Sequence, residues 1–330
     1  MSALVEPTAI EAAAARIRGT VRRTPLVDVT HVAGRPLHVK CENLQVAGAF
    51  KIRGACNLVT QIASGPDVRG VITYSSGNHA QAVACAARGL GLPAVVVMPE
   101  TAPTVKVEGT RSYGAEVLFQ GTTSVQRRRR AEAVAAQRGL TMVPPFDHPE
   151  IIAGQGTVGL EILEDQPSAD TIYVPIGGGG LIAGVAAAVK QRRPSTRIVG
   201  VEPVGAAAMA RSVEAGAPVT LDKVASIADG LLPVRPGDLT FAHVAALVDD
   251  LVTVEDEAIA AAVRWLAARA KLVVEPSGAA TVAAVLFSRR SDAADGATVA
   301  VASGGNIAPA TLSTLLRGGG AGSPPGRSSG

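Results

Sequence analysis

The chain has 330 residues, of which 47% are hydrophobic and 18% are charged. This composition indicates a globular protein with a large buried core and excludes an intrinsically disordered chain, which would contain fewer apolar residues and more charge. The formal net charge of +3 is too small for this length to indicate a nucleic-acid partner.

The pattern of apolar residues predicts an alternation of short strands and helices along the chain. The first part has helices at 8–18 and 52–62 and a strand at 37–40. A first series follows, with strands at 71–74, 94–98 and 116–119 and helices at 80–88, 104–113 and 122–138. A second series and the C-terminal part have strands at 171–176, 197–201 and 298–302 and helices at 181–190, 206–215, 255–268 and 278–288. Short apolar strands without alternation are typical of parallel sheets covered by helices on both faces, which indicates an α/β fold.

Four consecutive glycines connect the predicted strand at 171–176 to the predicted helix at 181–190. They are Gly177, Gly178, Gly179 and Gly180. Without side chains, several backbone N–H groups can reach one anion, and the helix dipole adds about half a positive charge at that end. The glycines therefore predict a phosphate site, and the absence of a following Gly-Lys-Ser/Thr sequence excludes a P-loop nucleotidase.

The same glycines also fit a dinucleotide site. Gly178, Gly180 and Ala183 match the spacing of the dinucleotide fingerprint, and Glu202 follows near the position of a ribose-binding acid. An NAD-dependent dehydrogenase and a simple tight turn are therefore alternatives at this point.

A second strand–loop–helix corner contains Ser75, Ser76, Gly77 and Asn78. Hydroxyl and amide donors, together with the N–H groups of the helix that follows, suit a smaller anion such as a carboxylate. The alternative is an ordinary capped helix, since serine and asparagine are common caps.

Two further residues decide between these alternatives. Lys51 lies at the predicted start of a helix, where the helix dipole disfavours a cation, so a nearby phosphate or a Schiff base with an aldehyde would explain it. Ser303 ends the strand at 298–302, at the edge where open α/β sheets bind ligands. A nicotinamide site leaves Lys51 and the second corner without a role, whereas pyridoxal 5'-phosphate holding an amino acid uses all of these features.

The sequence resembles the serine/threonine dehydratase (threonine ammonia-lyase) family, the fold-type-II pyridoxal-phosphate enzymes that include serine racemase. The similar segments are Cys41–Gln45 with Gly48–Ala55, Ser75–Gln81, Pro144–Pro149 with Ile152–Thr157, Val174–Gly180, Val274–Ala279 and Ser303–Asn306. The resemblance implies the tryptophan synthase beta-like fold, with two lobes that each contain a largely parallel sheet. It implies a large cofactor-binding domain at 1–69 and 148–317, a small substrate-binding domain at 70–147 and a flexible tail at 318–330.

The resemblance also assigns the cofactor site. Lys51 is expected to form the Schiff base and to move the α-proton, and Phe50 to pack against the cofactor ring. Asn78 is expected to bond the phenolic oxygen, Gly177–Gly180 to hold the phosphate, and Ser303 to face the pyridine nitrogen. A neutral hydroxyl at that nitrogen weakens the ring as an electron sink and favours elimination.

The substrate carboxylate is expected to lie among Ser75, Ser76, Asn78 and His79. Ser76 is the more informative of these residues, because serine racemase has a serine there that acts as the base on the opposite face of the substrate. Ser76 is therefore a candidate catalytic residue, and racemase activity is an alternative hypothesis. Ala49 departs from the serine that many relatives have before the Phe-Lys pair, so any contact of that hydroxyl is lost.

No metal site is expected. The racemases bind a divalent cation through a glutamate, a carbonyl and a second acid, and the matching positions here are Glu202, Ala206 and Ala208. Alanine at the last of these positions removes one hard oxygen ligand.

The activity implied is dehydration and deamination of a β-hydroxy amino acid, giving 2-oxobutanoate and ammonia from L-threonine or pyruvate and ammonia from L-serine. Since no regulatory domain follows residue 317, we expect a catabolic enzyme without feedback inhibition. The alternatives are serine racemization and dehydration of hydroxyaspartate or phenylserine on the same scaffold. A dehydrogenase and a non-catalytic binding protein remain as alternatives of other classes.

The remaining features predict a cytoplasmic enzyme without a nucleic-acid or membrane partner. The three cysteines, Cys41, Cys56 and Cys85, are far apart in the sequence. This spacing indicates buried thiols in a reducing compartment. Arg127–Arg130 lies in a predicted helix and is expected to be a solvated face. Relatives are commonly dimers or tetramers, so a homo-oligomer is expected.

Overall fold

The structure is a computed structural model and describes residues 4–75, 77–102, 104–288 and 296–318. Its strands are β1 (Leu26–Asp28), β2 (Leu37–Cys41), β3 (Val71–Tyr74), β4 (Ala94–Met98), β5 (Glu116–Phe119), β6 (Thr141–Met142), β7 (Thr171–Pro175), β8 (Arg197–Pro203), β9 (Asp250–Val254) and β10 (Thr298–Ala302). Its α-helices are α1 (Pro7–Ile17), α2 (Thr30–Ala33), α3 (Lys51–Ala63), α4 (Asn78–Gly89), α5 (Thr104–Ser112), α6 (Ser124–Arg138), α7 (Pro149–Asp165), α8 (Gly180–Arg192), α9 (Ala208–Ala215), α10 (Asp238–Leu247), α11 (Asp256–Trp265), α12 (Pro276–Leu286) and α13 (Pro309–Arg317). A π-helical turn, Leu266–Ala270, continues α11.

The strands form two sheets. One has the order β1-β2-β10-β7-β8-β9, in which the β1–β2 pair is antiparallel and the other pairs are parallel. The other has the order β5-β4-β3-β6 and is parallel throughout. The predicted α/β architecture with largely parallel sheets is therefore confirmed. All strands of the second sheet fall within 70–147, but the exact domain boundaries stay a prediction.

Helices cover both faces of the larger sheet. Along β10, Ala300 and Ala302 pack in a buried cluster with residues of α12, whereas Val299 and Val301 pack in a second cluster with residues of α8. Successive residues of a strand face opposite sides, so this division places one helical layer on each face. The buried sheet forms a rigid support for the loops at its edges.

The sequence pattern missed α7, a 17-residue helix that packs between α3 and α8. A Cβ atom at Gly154 would lie 2.5 Å from the Cα atom of Gly54, and one at Gly184 would lie 2.4 Å from the carbonyl oxygen of Ile152. Each glycine in a helix is about 1 kcal/mol less favourable than alanine, so the intrinsic helix propensity of this segment is low. Its glycines instead allow three helix backbones to approach closely.

Within the part of the chain that the structure describes, no helix has the length and apolarity needed to cross a membrane.

Candidate active site

The predicted site residues follow the carboxyl ends of strands in both sheets. The glycine corner, Gly177–Gly180, follows β7, and Ser303 follows β10. The second corner, which we call the asparagine corner (residues 75 and 77–79), follows β3. These are the carboxyl ends of parallel strands, where open α/β sheets place their ligands.

The glycine corner leaves no space for side chains. Gly179 has φ +94°, and a Cβ atom there would lie 2.9 Å from the Cβ atom of Thr240. A Cβ atom at Gly178 would lie 2.2 Å from the ring of Phe146. The Thr240 hydroxyl donates to the carbonyl oxygen of Gly178 at 2.7 Å and holds the loop in place.

The amide end of α8 faces this corner. Gly179 is the N-cap residue of α8 and offers no side chain to its first N–H groups. Those N–H groups are therefore available to an anion, and the helix dipole favours a negative charge there. The corner has the chemistry of a phosphate site.

Lys51 is the first residue of α3. Its Nζ atom donates to the carbonyl oxygen of Pro145 at 2.7 Å and lies 5.1 Å from the centre of the Phe50 ring. Burial disfavours the charged form and lowers the pKa of the Lys51 amine to about 8. An amine that is partly neutral near pH 7 can attack an aldehyde or accept a proton from carbon.

A buried ion cluster anchors the start of α3. The guanidinium of Arg53 bonds Glu42 through Nε at 2.8 Å and Glu161 of α7 through Nη1 at 2.7 Å. Lys40 of β2 donates to the same Glu161 carboxylate at 2.6 Å. Because unpaired buried charges are strongly destabilising, the cluster fixes α3 against β2 and α7, and Lys51 is held two residues away.

The asparagine corner is held by polar side chains. The Asn78 amide donates from Nδ2 to Oε1 of Glu275 at 2.6 Å, and its Oδ1 accepts from Nδ2 of Asn306 at 2.9 Å. The Ser75 hydroxyl oxygen accepts from the backbone N–H of Gly77 at 3.4 Å. Ser76 lies outside the described residues, so its predicted substrate-binding and catalytic roles stay predictions.

His79 is buried and neutral. Its Nε2 donates to the carbonyl oxygen of Val143 at 3.0 Å, while burial, together with the Lys51 charge, lowers its pKa to about 3. Its Nδ1 atom has no hydrogen-bond partner among the described residues. This geometry makes His79 a packing residue of the corner and leaves it without a charge at physiological pH.

Ser303 lies beside the Lys51 segment. It is 3% exposed, and its carbonyl oxygen accepts from the backbone N–H of Phe50 at 3.1 Å. A single β-bridge joins Ala49 to Gly304. The end of β10 therefore holds the backbone just before Lys51.

Residues 143–147, which we call the connecting segment, contact the asparagine corner, Lys51 and the glycine corner. Val143 bonds His79, Pro145 bonds Lys51, and the Phe146 ring covers Gly178. The carboxylate of Asp147 accepts from three backbone N–H groups at the start of α10, which contains Thr240. Residues Pro144–Pro149 were recognised from the sequence as a segment similar to the family. Their contacts with the site were not predicted.

Glu275 was also missed. It is 5% exposed and precedes α12, and burial, opposed by the bond from Asn78, raises its pKa to about 7. Its position within the similar segment Val274–Ala279 was the only available signal.

Glu202, the acid of the dinucleotide alternative, is occupied elsewhere. Its two carboxylate oxygens accept from the backbone N–H groups of Met209 and Ala210, each at 2.8 Å. It thereby caps α9, and burial raises its pKa to about 7. A ribose-binding acid needs a free carboxylate in the cleft, so this geometry speaks against a nicotinamide site.

Comparison with known proteins gives consistent matches. The sequence profile of the family described as "Pyridoxal-phosphate dependent enzyme" matches residues 17–312. An L-threonine ammonia-lyase of Geobacter sulfurreducens is 46% identical over 312 residues, which cover 94% of this chain and 77% of that protein. A serine racemase of Oryza sativa subsp. indica is 44% identical over 305 residues and 90% of each protein. The structure of maize serine racemase superposes with a TM-score of 0.90 at 41% identity, covering 95% of this chain and 97% of that one.

Proposed function

The chain belongs to the pyridoxal-phosphate dependent enzyme family, and we propose that it removes water and ammonia from a β-hydroxy amino acid, with L-threonine as the first candidate substrate. The expected fold type and the expected cofactor are confirmed by the family match and the similar structures. The matches establish a pyridoxal-phosphate enzyme, while the lyase class and the substrate are our proposal.

The site residues fit the cofactor. The glycine corner has no room for a Cβ atom and presents an uncapped helix start, as a phosphate requires. The Lys51 amine donates to the carbonyl oxygen of Pro145, and the ring of the next residue, Phe146, covers Gly178, so the amine and the glycine corner contact two adjacent residues. This arrangement of one amine of lowered pKa beside one phosphate corner is the observation that carries the proposal.

The cofactor, when bound, supplies an electron sink for the negative charge that develops at Cα of the substrate. Lys51 would hold the cofactor covalently and then, as a free neutral amine, accept the Cα proton. Gly177–Gly180 would hold the phosphate, Asn78 would donate to the ring oxygen and Ser303 would lie at the ring nitrogen, with Phe50 against the ring.

The substrate carboxylate would lie at the asparagine corner, where Ser75 and Asn78 offer polar groups and the backbone of α4 begins. His79 supports the corner through Val143 but does not transfer a proton, because it is neutral and its Nε2 hydrogen is engaged. Loss of the β-hydroxyl as water, followed by hydrolysis of the unsaturated amine, gives a 2-oxo acid and ammonia.

Elimination requires one base, whereas racemization requires a second acid–base group on the opposite face of the substrate. Lys51 supplies the first base. His79 is unsuited to be the second, and Ser76 is the residue that would serve. Serine racemization is the second candidate function, since racemases from rice and maize are as similar to this chain as the threonine lyases are.

One set of assays tests the proposal. The purified protein is incubated with both enantiomers of threonine, serine, hydroxyaspartate and phenylserine, and ammonia, 2-oxo acid and inverted amino acid are measured. We expect ammonia from L-threonine or L-serine and its complete loss in Lys51→Ala. Lys223, an exposed lysine, provides the control Lys223→Ala, which should keep full activity.

Ser76→Ala separates the two candidates. It should retain 2-oxo acid formation and abolish any inversion. Inverted amino acid without ammonia would contradict the lyase proposal and favour the racemase. A purified protein that binds NADH and shows no cofactor absorption near 410 nm would contradict both.

The homo-oligomeric state and the cytoplasmic location stay predictions. The same holds for the domain boundaries at 69/70 and 147/148 and for the tail at 318–330, of which residues 319–330 lie outside the described chain.

A further inference from the structure

Three side chains from distant parts of the sequence form one continuous hydrogen-bonded chain beside Lys51. Asn306 donates from Nδ2 to the carbonyl oxygen of Ala47 at 2.8 Å and to Oδ1 of Asn78 at 2.9 Å. Asn78 then donates from Nδ2 to Oε1 of Glu275 at 2.6 Å. Asn78 belongs to the corner that follows β3, whereas Asn306 and Glu275 belong to the elements around β10.

The direction of this chain is set by a single backbone oxygen. A carbonyl oxygen can only accept, so the end of the Asn306 amide that faces Ala47 must be the nitrogen. Its second hydrogen then points to the oxygen end of the Asn78 amide, which leaves the nitrogen end of Asn78 facing Glu275. A half-turn of the Asn306 amide would bring its oxygen against the carbonyl oxygen of Ala47, which are two acceptors. A half-turn of the Asn78 amide would bring its nitrogen against Nδ2 of Asn306, which are two donors.

Close packing holds the two outer members in place. A Cβ atom at Gly48, which has φ +72°, would lie 2.2 Å from Oδ1 of Asn306. A Cβ atom at Gly304 would lie 2.2 Å from Oε1 of Glu275. Both side chains therefore lie directly against glycine backbone, and their positions depend on the loops around Lys51 and Ser303.

The charged groups that act on Glu275 lie on two neighbouring elements. Asp229, in a short 3₁₀ turn, raises its pKa and Lys106 of α5 lowers it, and these two residues also pair with each other. Burial is the larger cause of the raised pKa. The hydrogen bond that Asn78 donates is thus accepted by a buried carboxyl group that few other polar groups solvate.

We propose that Glu275 is a positioning residue of the cofactor site: together with Asn306 it orients the Asn78 amide so that the second Nδ2 hydrogen is presented to the ring oxygen of the cofactor. The proposal rests on the assignment of Asn78 to that oxygen. An amide nitrogen has two hydrogens, and Glu275 takes one of them, so the other points in a fixed direction. A rotated amide would instead place Oδ1 against the ring oxygen, where two acceptors repel.

The test measures cofactor affinity in Glu275→Leu, Glu275→Gln and Asn306→Asp. Cofactor-free protein is titrated with pyridoxal 5'-phosphate, and absorption near 410 nm gives the dissociation constant and the band position. Thermal unfolding of the cofactor-free protein is recorded in parallel. Leucine keeps the volume of Glu275 but accepts no hydrogen bond, glutamine keeps an acceptor, and aspartate at 306 cannot donate.

We expect Glu275→Leu and Asn306→Asp to bind the cofactor about tenfold more weakly, which is the effect of one misoriented buried hydrogen-bonding group. Both should also displace the absorption band. Glu275→Gln should bind within about threefold of the parent. Asn57→Asp is the control: Asn57 is a buried amide of α3 that donates to Glu150, so this variant should lower the unfolding temperature but leave the affinity and the band unchanged.

Parental affinity and band position in both Glu275→Leu and Asn306→Asp would overturn the inference, as would equally weak binding in Glu275→Gln and Glu275→Leu. A parent protein that fails to bind the cofactor at Lys51 would contradict the proposed function instead, so the two failures are distinguishable.

Discussion

The two corners proposed to hold anions both lie at helix starts, yet they are built in opposite ways. The glycine corner is defined by shape: Cβ atoms at Gly177, Gly178 and Gly179 would each lie within 3.0 Å of a neighbouring atom. The asparagine corner is defined by hydrogen bonds that it donates to Glu275 and to the carbonyl oxygen of Val143, and by one that it accepts from Asn306. At Gly77 no atom of the described residues lies within 4 Å of a Cβ position.

This difference has functional consequences. A corner made of backbone amides keeps its binding properties at any pH but accepts no added atom. A corner made of side chains tolerates extra volume, but its geometry depends on which groups are protonated and how the amides are oriented. The cofactor phosphate, which stays in place, suits the first type, and a substrate that enters and leaves suits the second.

The largest expected effect concerns the shape of the glycine corner. Gly179→Ala would combine a positive φ with contact against Thr240, so we expect a loss of about 2–4 kcal/mol in the free energy of unfolding. Cofactor affinity should fall with it. Urea denaturation and cofactor titration measure the two effects.

The matched control is Gly89→Ala at the end of α4, where no atom of the described residues lies within 4 Å of the Cβ position. Because alanine favours helix over glycine, this variant should be unchanged or up to about 1 kcal/mol more stable. If Gly179→Ala were as stable as Gly89→Ala, the glycine corner would not be defined by shape.

The next largest effect is expected on the pH dependence of stability that the asparagine corner contributes through Glu275. Glu275 has a pKa of about 7 in the folded protein, above its ordinary value of 4.5, because burial disfavours the carboxylate. The folded state thus binds more protons than the unfolded state between these values, and its stability decreases as the pH rises through about 7. Glu275→Gln should remove about 2–3 kcal/mol of this decrease between pH 5 and pH 8.

Urea midpoints at unit steps of pH measure this contribution. Glu202 also has a pKa raised to about 7, so Glu202→Gln should remove a separate part of the decrease. A Glu275→Gln protein with the full parental pH dependence would show that the carboxyl group does not titrate in this range.

Much of the fold could be predicted because it follows from local patterns. The strands at 71–74, 94–98, 116–119 and 298–302 were predicted with their observed bounds, since each is a short, mostly apolar run followed by a polar residue or proline. Helix α7 was missed because glycines lower its propensity, and their partners Gly54 and Gly184 lie in other helices. Helix α10 and strand β9 were also missed, and they too depend on packing against neighbours.

The site residues likewise divide into those that short motifs predict and those that depend on contacts between distant parts of the chain. Lys51, the glycines and Asn78 lie within short motifs whose residue types reveal their chemistry. Glu275 bonds Asn78 across 197 positions, and nothing near Asn78 in the sequence points to it. The connecting segment was recognised as a similar block, but its contacts with Lys51 and Gly178 exist only in the folded chain.

A smaller effect is expected at the support of the glycine corner. Asp147→Ala removes the acceptor for three N–H groups at the start of α10, which holds Gly178 through Thr240. Loss of a helix cap typically costs about 1–2 kcal/mol, measured by urea denaturation. Asp147→Asn, which keeps one oxygen, should lose about half as much, and an unchanged Asp147→Ala would mean that α10 does not depend on this cap.

The smallest effect is expected at His79, and it tests whether this residue titrates in the asparagine corner. Its pKa is lowered to about 3, so it stays neutral from pH 5 to pH 9 and contributes no step to a pH profile in that range. In His79→Gln the amide nitrogen can still donate to Val143, and we expect the pH dependence of ammonia release to keep its shape. Stability should change by less than about 1 kcal/mol, the net value of one hydrogen bond. A pH–rate profile that loses a limb in this variant would show that His79 carries a proton in the reaction, and the corner would then titrate at two positions rather than at Glu275 alone.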